Sequence, residues 1–227
     1  SLFASITYQS SVNAPYLASG LERSCVLDFV DWPLNDRYWF ENLFDAWVRT
    51  LGTEQEKVAA INTLLEWESP GPGGYYDDLG NASKQQHLVQ QLPWADDPGY
   101  VASAQAEFIW HGGITNDFKK GAGRLSWQDQ AQTLYGQPLQ MHYTGLAPDA
   151  DYTVRATYLG RFNPVMTLSA EGSTLGTSGI PASLPYQVQY AIPSSASADG
   201  VLDLSWNLVG GRGCQLAEVW LTTPDTE

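Results

Sequence analysis

From Gly74 onward no stretch of this chain keeps a helical period. Short runs rich in Val, Tyr, Thr, Trp and Leu follow one another, each broken by Gly, Pro, Asn or Asp. Such runs fall at 99–110, 123–128, 138–144, 151–159, 164–170, 185–191, 200–207 and 213–222. Alternation is clearest in Tyr152-Thr153-Val154-Arg155-Ala156-Thr157-Tyr158 and in Val201-Leu202-Asp203-Leu204-Ser205-Trp206. A period of two belongs to a half-buried strand. Eight or so short strands at this spacing predict a mainly β fold, an antiparallel jelly-roll β-sandwich.

The texture before Gly74 differs. Residues 1–35 are irregular, with candidate strands at Leu2–Tyr8 and Ser24–Val30. From Asp36, the residues Phe40, Leu43, Phe44, Trp47, Val48 and Leu51 recur at helical spacing, and Gly52 is placed to end that helix as a left-handed C′ residue. Thr53 with Glu56 three residues later spells a capping box for a second helix. Val58, Ile61 and Leu65 supply its apolar stripe, and it must stop before Pro70. The expectation is an N-terminal α-helical hairpin at about 36–68 within an extension spanning 1–70, followed by the sandwich at 71–227. "SPGPGG" (69–74) marks the boundary.

Composition excludes several classes. A chain with 43% hydrophobic and 16% charged residues is globular rather than disordered. A formal net charge of −14, with eleven scattered Lys and Arg, argues against nucleic acid and anionic membranes, and mildly against strongly polyanionic glycans unless a local arginine cluster overrides the net field. No run of about eighteen apolar residues is present to span a bilayer. The chain begins at Ser1 with no signal peptide, as a mature fragment or an excised piece would. Cys25 and Cys214, far apart, either form one disulfide or stay as two buried thiols. Nine Trp and twelve Tyr are in excess, and aromatics at that density fill sandwich cores or, exposed, stack on flat ligands such as sugars.

Two segments carry a family resemblance. "YTGLAPDADYTVRATYLG" (143–160) is similar to the turn and strand of malectin-like and related galactose-binding-like jelly rolls, a corner that fibronectin type III domains share. "ADGVLDLSW" (198–206) with "GRGCQLAEVWL" (211–221) resembles the end of the same sandwiches. "SPGPGGYYDDLG", "RLSWQDQAQTLYG" and "GRGCQLAEVWL" together resemble a C-terminal region of large bacterial proteins similar to polysaccharide-degrading enzymes. The resemblance implies an accessory β-sandwich of the kind found as carbohydrate-binding modules. It also implies a calcium ion bridging the first and last strands, through Asp77 and Asp78 at the start and Glu218 near the end, with Asn81 and carbonyls completing the set. The competing reading is that these aspartates cap a turn or stand in solvent.

Asp96 and Asp97 form a second acidic pair, but adjacent residues on a strand face apart, so neither pair makes a glycosidase dyad by itself. A turn before Pro98 explains them. His87, His111 and His142 lack metal spacing, and no nucleophile carries a visible activator. For carbohydrate binding the candidate residues are Trp94, Tyr100, Trp127, Arg161, Phe162 and Arg212: aromatics to stack on rings, arginines to pair with vicinal hydroxyls or a uronate.

The reading is therefore a non-catalytic module, extracellular or periplasmic, that binds a polysaccharide or oligosaccharide. It would tether a catalytic domain of the same polypeptide to its glycan. The alternatives are a structural domain buttressing a catalytic module, and a hydrolase or lyase fragment. An exposed apolar helix face without loop aromatics favours the former, and carboxylates converging in a cleft favour the latter.

Overall fold

The computed structural model describes residues 47–80, 84–92, 96–97, 101–108, 125–127, 129–160, 162–179 and 185–223. Its strands are β1 (Tyr75–Asp78), β2 (Gln105–Phe108), β3 (Asp129–Gln132), β4 (Leu139–Thr144), β5 (Thr153–Tyr158), β6 (Val165–Ala170), β7 (Ser173–Gly179), β8 (Tyr186–Ala191), β9 (Val201–Gly210), β10 (Gln215–Leu216) and β11 (Glu218–Thr222). One four-stranded sheet runs β1-β11-β5-β8 and the other β4-β9-β6-β7, all neighbours antiparallel. Counting only these eight strands in chain order, the sheets read 1-8-3-6 and 2-7-4-5. That double Greek key is a jelly roll. A three-stranded sheet, β10-β3-β2, is the third.

The core follows from the period of two. Leu139, Met141 and Tyr143 of β4, Val154, Ala156 and Tyr158 of β5, and Leu202, Leu204 and Trp206 of β9 are all fully buried or nearly so. Large buried aromatics need partners for their polar ends. Trp206 Nε1 donates to the Tyr158 hydroxyl at 2.9 Å, and the Tyr190 hydroxyl meets Ser178 Oγ.

The two segments that carry the family resemblance meet in space. Leu146 N donates to Gly200 O (3.0 Å), and Ala147 N donates to the hydroxyl of buried Tyr152 (2.9 Å). Gly200 is left-handed (φ +82°), and a Cβ there would lie 3.3 Å from Leu146 O. The "GLAPDADY" corner is thus a turn tied by its own tyrosine and closed by the glycine of "ADG".

Several local expectations need correction. Residues 125–127 form a 3₁₀ turn rather than a strand. β3 and β7, "DQAQ" and "STLGTSG", are strands without an apolar run, held by cross-strand pairing instead of local propensity. Of the first expected helix the described part is a 3₁₀ turn at Val48–Thr50, and Leu51 is already extended. Gly52 is not left-handed, so it does not act as the C′ residue. The strands expected at 2–8 and 24–30 lie outside the described residues.

The second helix, α1 (Glu54–Trp67), is present. Its capping box is complete: Glu56 N donates to Thr53 Oγ1 (3.2 Å) and Thr53 N to Glu56 Oε2 (2.8 Å). The stripe does not face inward as its spacing suggests, for Ala60 is buried while Val58 and Ile61 are 47% and 38% exposed. The Pro70–Gly74 run links α1 to β1. Gly74 is tight, since a Cβ there would meet Pro70 O at 2.7 Å and Leu221 O at 2.8 Å.

The tyrosine corner can be tested directly. Tyr152→Phe keeps the buried ring and removes the acceptor for Ala147 N, so urea unfolding is expected to show a loss of about 0.5–1.5 kcal/mol. No loss would mean the corner is held by packing alone.

Candidate functional site

Tyr76, Asp78, Glu218 and Trp220 point away from the core, with Asp78 directly opposite Glu218 and Tyr76 opposite Trp220. Glu218 is fully buried. Its Oε1 accepts from the Tyr76 hydroxyl (3.1 Å) and Ser126 Oγ (2.5 Å), and its Oε2 from Trp127 Nε1 (2.9 Å) and Thr157 Oγ1 (2.8 Å). Gln187 Nε2 donates to Thr157 Oγ1 and extends the network to β8. The Arg155 guanidinium lies 4.4 Å from the Trp220 ring centroid.

Asp77 takes the opposite face, as a strand demands. It accepts from the Tyr143 hydroxyl (3.0 Å) and from His87 N (3.2 Å), and its Oδ2 lies 2.9 Å from His87 Nδ1. Burial and the Asp77 charge hold the Tyr143 phenol well above its usual value, so it acts as a donor. The His87 ring stacks on Tyr143 at 4.4 Å. This cluster fixes segment 84–92 beside β4, where His142 N donates to His87 O and Val89 N to Gln140 O.

Asp78 is the strained member. It is 8% exposed and its Oδ1 has no hydrogen-bond partner. Burial pushes its carboxyl up to about 7. Lys84 opposes that rise, while Glu218 and Glu68 add to it. Lys84 is itself committed to Glu68, at 2.6 and 2.7 Å.

Calcium needs six to eight oxygens converging on one point. Asp77 faces the other side of the strand and both oxygens of Glu218 are filled by protein donors, so of the three carboxylates only Asp78 has an open oxygen. Among the described residues no group of three or more His, Cys, Asp or Glu is placed to hold a metal. Asn81 lies outside the described residues. The residues described here do not fit the ion that the resemblance implies.

Asp97 is the anchor of a turn, accepting from the backbone N–H of Val101, Ala102 and Ser103 at 2.8, 2.9 and 3.0 Å. His142 pairs with Asp203 at 2.6 Å across β4 and β9, with both side chains about half exposed. That pair lies on a hollow of about 660 Å³ on the outer face of the second sheet, which has no Phe, Tyr or Trp among its described lining residues. Cys214 is a buried free thiol that donates to Trp206 O. Cys25 lies outside the described residues.

A second hollow, of about 540 Å³, opens at one end of the sandwich, where three loops converge. In the β3–β4 loop, Gln137 N donates to Leu134 O (3.0 Å) and closes a turn in which Tyr135 and Gly136 are both left-handed (φ +53° and +80°). Between β5 and β6, Phe162 and Asn163 are left-handed in succession (φ +62° and +48°). Left-handed backbone is rare for non-glycine residues and costs of order 1–3 kcal/mol at each. The β9–β10 loop, "GGRG", locks the other two. A Cβ on Gly211 would lie 2.3 Å from Asn163 O, and one on Gly213 would lie 2.2 Å from Thr133 O.

The two bent turns display their side chains outward. Tyr135 is 86% exposed and Phe162 44%. Arg212 sets its guanidinium 5.8 Å from the Phe162 ring centroid, and Gln215 Nε2 holds the Arg212 carbonyl at 3.0 Å. Gln132, Thr133 and Leu208 also line the hollow.

Of the expected ligand-binding residues, the structure brings Phe162 and Arg212 together. Trp127 is buried (9% exposed), with its indole N–H spent on Glu218, so it has no face for a ligand. Trp94, Tyr100 and Arg161 lie outside the described residues. Tyr135 was not among the candidates. Its signal is "LYGQP", an aromatic beside a glycine in a tight turn, where no core position exists for it.

No family model matches the chain, and no curated protein matches it. Among solved structures it is similar to β-glucuronidase 2 of Bacteroides uniformis, at 13% identity and TM-score 0.41, covering 66% of this chain and 18% of that one. It is also similar to a family 35 carbohydrate-binding module of Cellvibrio japonicus Abf62 (13%, TM-score 0.37, 66% and 92% covered). A third is the C-terminal family 6 module of the laminarinase LamC from Zobellia galactanivorans (8%, TM-score 0.36, 66% and 98% covered). The chain spans about 18% of the length of the β-glucuronidases it matches.

The raised Asp78 carboxyl gives a pH prediction. The folded protein holds this proton more tightly than the unfolded chain, whose value is near 3.8. Its stabilising contribution is fully present below about pH 4 and is lost as pH rises toward 7, at about 1.4 kcal/mol per pH unit. Asp78→Asn should therefore melt higher than the parent at about pH 8, with the gap closing by about pH 4. A gap that widens on acidification would contradict this.

Proposed function

We propose that this chain is a non-catalytic carbohydrate-binding module whose ligand site is the hollow at the loop end of the sandwich. The observation that carries the proposal is the pair Tyr135 and Phe162, two solvent-facing aromatics on left-handed backbone at the mouth of one hollow, with Arg212 against the second ring. Strained backbone that places an apolar ring in water has no stabilising purpose in a fold, whereas a ring held ready for the face of a sugar does. Stacking and a few hydrogen bonds are modest terms, so single-site affinity is weak and gains its use from tethering. The sequence resemblance supports placing such a module beside a catalytic domain of the same polypeptide, in an extracellular or periplasmic polysaccharide-degrading system.

A buttressing role draws on a different observation, the exposed Val58 and Ile61 of α1. The two roles use opposite parts of the sequence and are separable. Val58→Ser with Ile61→Ser should leave glycan retardation unchanged if the loop end is the binding site.

Affinity electrophoresis against plant and algal glycans tests the proposal, and no retardation on any of them would count against it. Tyr135→Gly makes it specific to the site. Glycine is at ease in a left-handed turn, so the variant should melt at the same temperature or a few degrees higher. Its retardation on the responsive glycan should fall several-fold, by about the value of one stacking contact. A variant that is destabilised, or that binds as before, would place the site elsewhere.

A further inference from the structure

We infer that the loop-end hollow reads an anionic substituent on its saccharide, a carboxylate or a sulfate ester, through Arg212. The inference rests on the saccharide-binding proposal and makes it narrower. The chain has 25 acidic against 11 basic residues, yet none of the described residues lining this hollow is Asp or Glu. Among the described residues Arg212 is the cation that lines it, and none of them is an acidic partner for it. By contrast, Lys84 is bound to Glu68 on both carboxylate oxygens.

The setting of Arg212 is that of a presented group. Its backbone lies between Gly211 and Gly213, both left-handed and both pressed against the neighbouring loops, and its carbonyl is held by Gln215. The Phe162 ring lies under the guanidinium, which restricts its rotamers while leaving its N–H edge open. A planar fork of donors of this kind matches the two oxygens of a carboxylate or sulfate. Gln132, 8% exposed, also lines the hollow, and its Oε1 faces Gln130 Nε2 at 3.5 Å, so its amide nitrogen is not spent on that contact. A site offering donors and no carboxylate suits a ligand group that can only accept.

The second hollow supplies the contrast. On the outer face of the second sheet, His142 is already paired with Asp203, and the remaining polar lining is Gln, Ser and Asn. Among its described lining residues that hollow holds an acidic side chain and no Lys or Arg, so it offers an anion no cation.

The test is isothermal titration of the intact chain with three oligosaccharides of matched length: an oligogalacturonate, a sulfated galactan oligosaccharide and a neutral galactan oligosaccharide. At low salt at least one anionic probe should bind about tenfold or more tightly than the neutral one, the scale of a charge-assisted pair. Raising the salt should shrink that preference. Arg212→Gln should erase the difference between the probes. Preference for the carboxylated probe alone assigns the site to uronates, and for the sulfated probe alone to sulfate esters. Either supports the inference. Equal, salt-insensitive binding of all three would overturn it and leave the saccharide proposal standing. Preference that survives in Arg212→Gln also overturns it, and binding of none of the three would remove both proposals.

Discussion

The buried carboxylate of Glu218 is the constraint on which the rest of the sandwich depends. An acidic side chain with no exposed surface would cost several kcal/mol if its oxygens were left bare. Here four donors from three segments fill them: Tyr76 on β1, Ser126 and Trp127 on the 3₁₀ turn, and Thr157 on β5. Each donor comes from an element that packing alone would hold less specifically. The first strand, the last strand, the strand beside it and the covering turn are thereby set relative to one another. Their outward face is closed, with Trp127 laid over it. The residues that most resemble an active site are consumed in holding the fold together.

With that face closed and the core filled, the loops are where the proposed binding site lies. A jelly roll frees its ends for this, because the strands need only their own pairing and the connections between them can vary. The loop end of this sandwich departs from low-energy backbone at Tyr135, Phe162 and Asn163. The glycines of "GGRG" allow the close backbone contacts that keep those three residues where they are. In the proposed site, strain at the tips and close contact at the base would together hold the two rings in place before any ligand arrives.

The sandwich was legible in the sequence wherever burial imposes a period of two, as in 152–158 and 201–206. The tyrosine corner and its partner "ADG" were legible as motifs, and the capping box at Thr53 and Glu56 as a spacing. What escaped was decided by non-local pairing. "DQAQ" and "STLGTSG" have no apolar signal and become strands only because a neighbour offers its ladder. The facing of Asp77 away from Asp78 was readable from strand alternation, but the commitment of Glu218 to four donors was not, since Ser126 and Trp127 are about ninety positions away. Phe162 and Arg212 were singled out one by one, and only the fold makes them neighbours. Trp127 illustrates the converse: in isolation a tryptophan gives no sign of whether its face or its N–H is in use.

In the proposed division of labour, carboxylates hold this protein together and loop aromatics do its binding. Backbone amide chemical-shift mapping during titration with a responsive oligosaccharide tests that division most directly. Shifts should concentrate at 133–137, 162–163 and 209–213, while 76–78, 140–142, 203–207 and 218 stay still. Shifts centred on Asp78 and Glu218, or on the outer face of the second sheet, with the loop end silent, would contradict it.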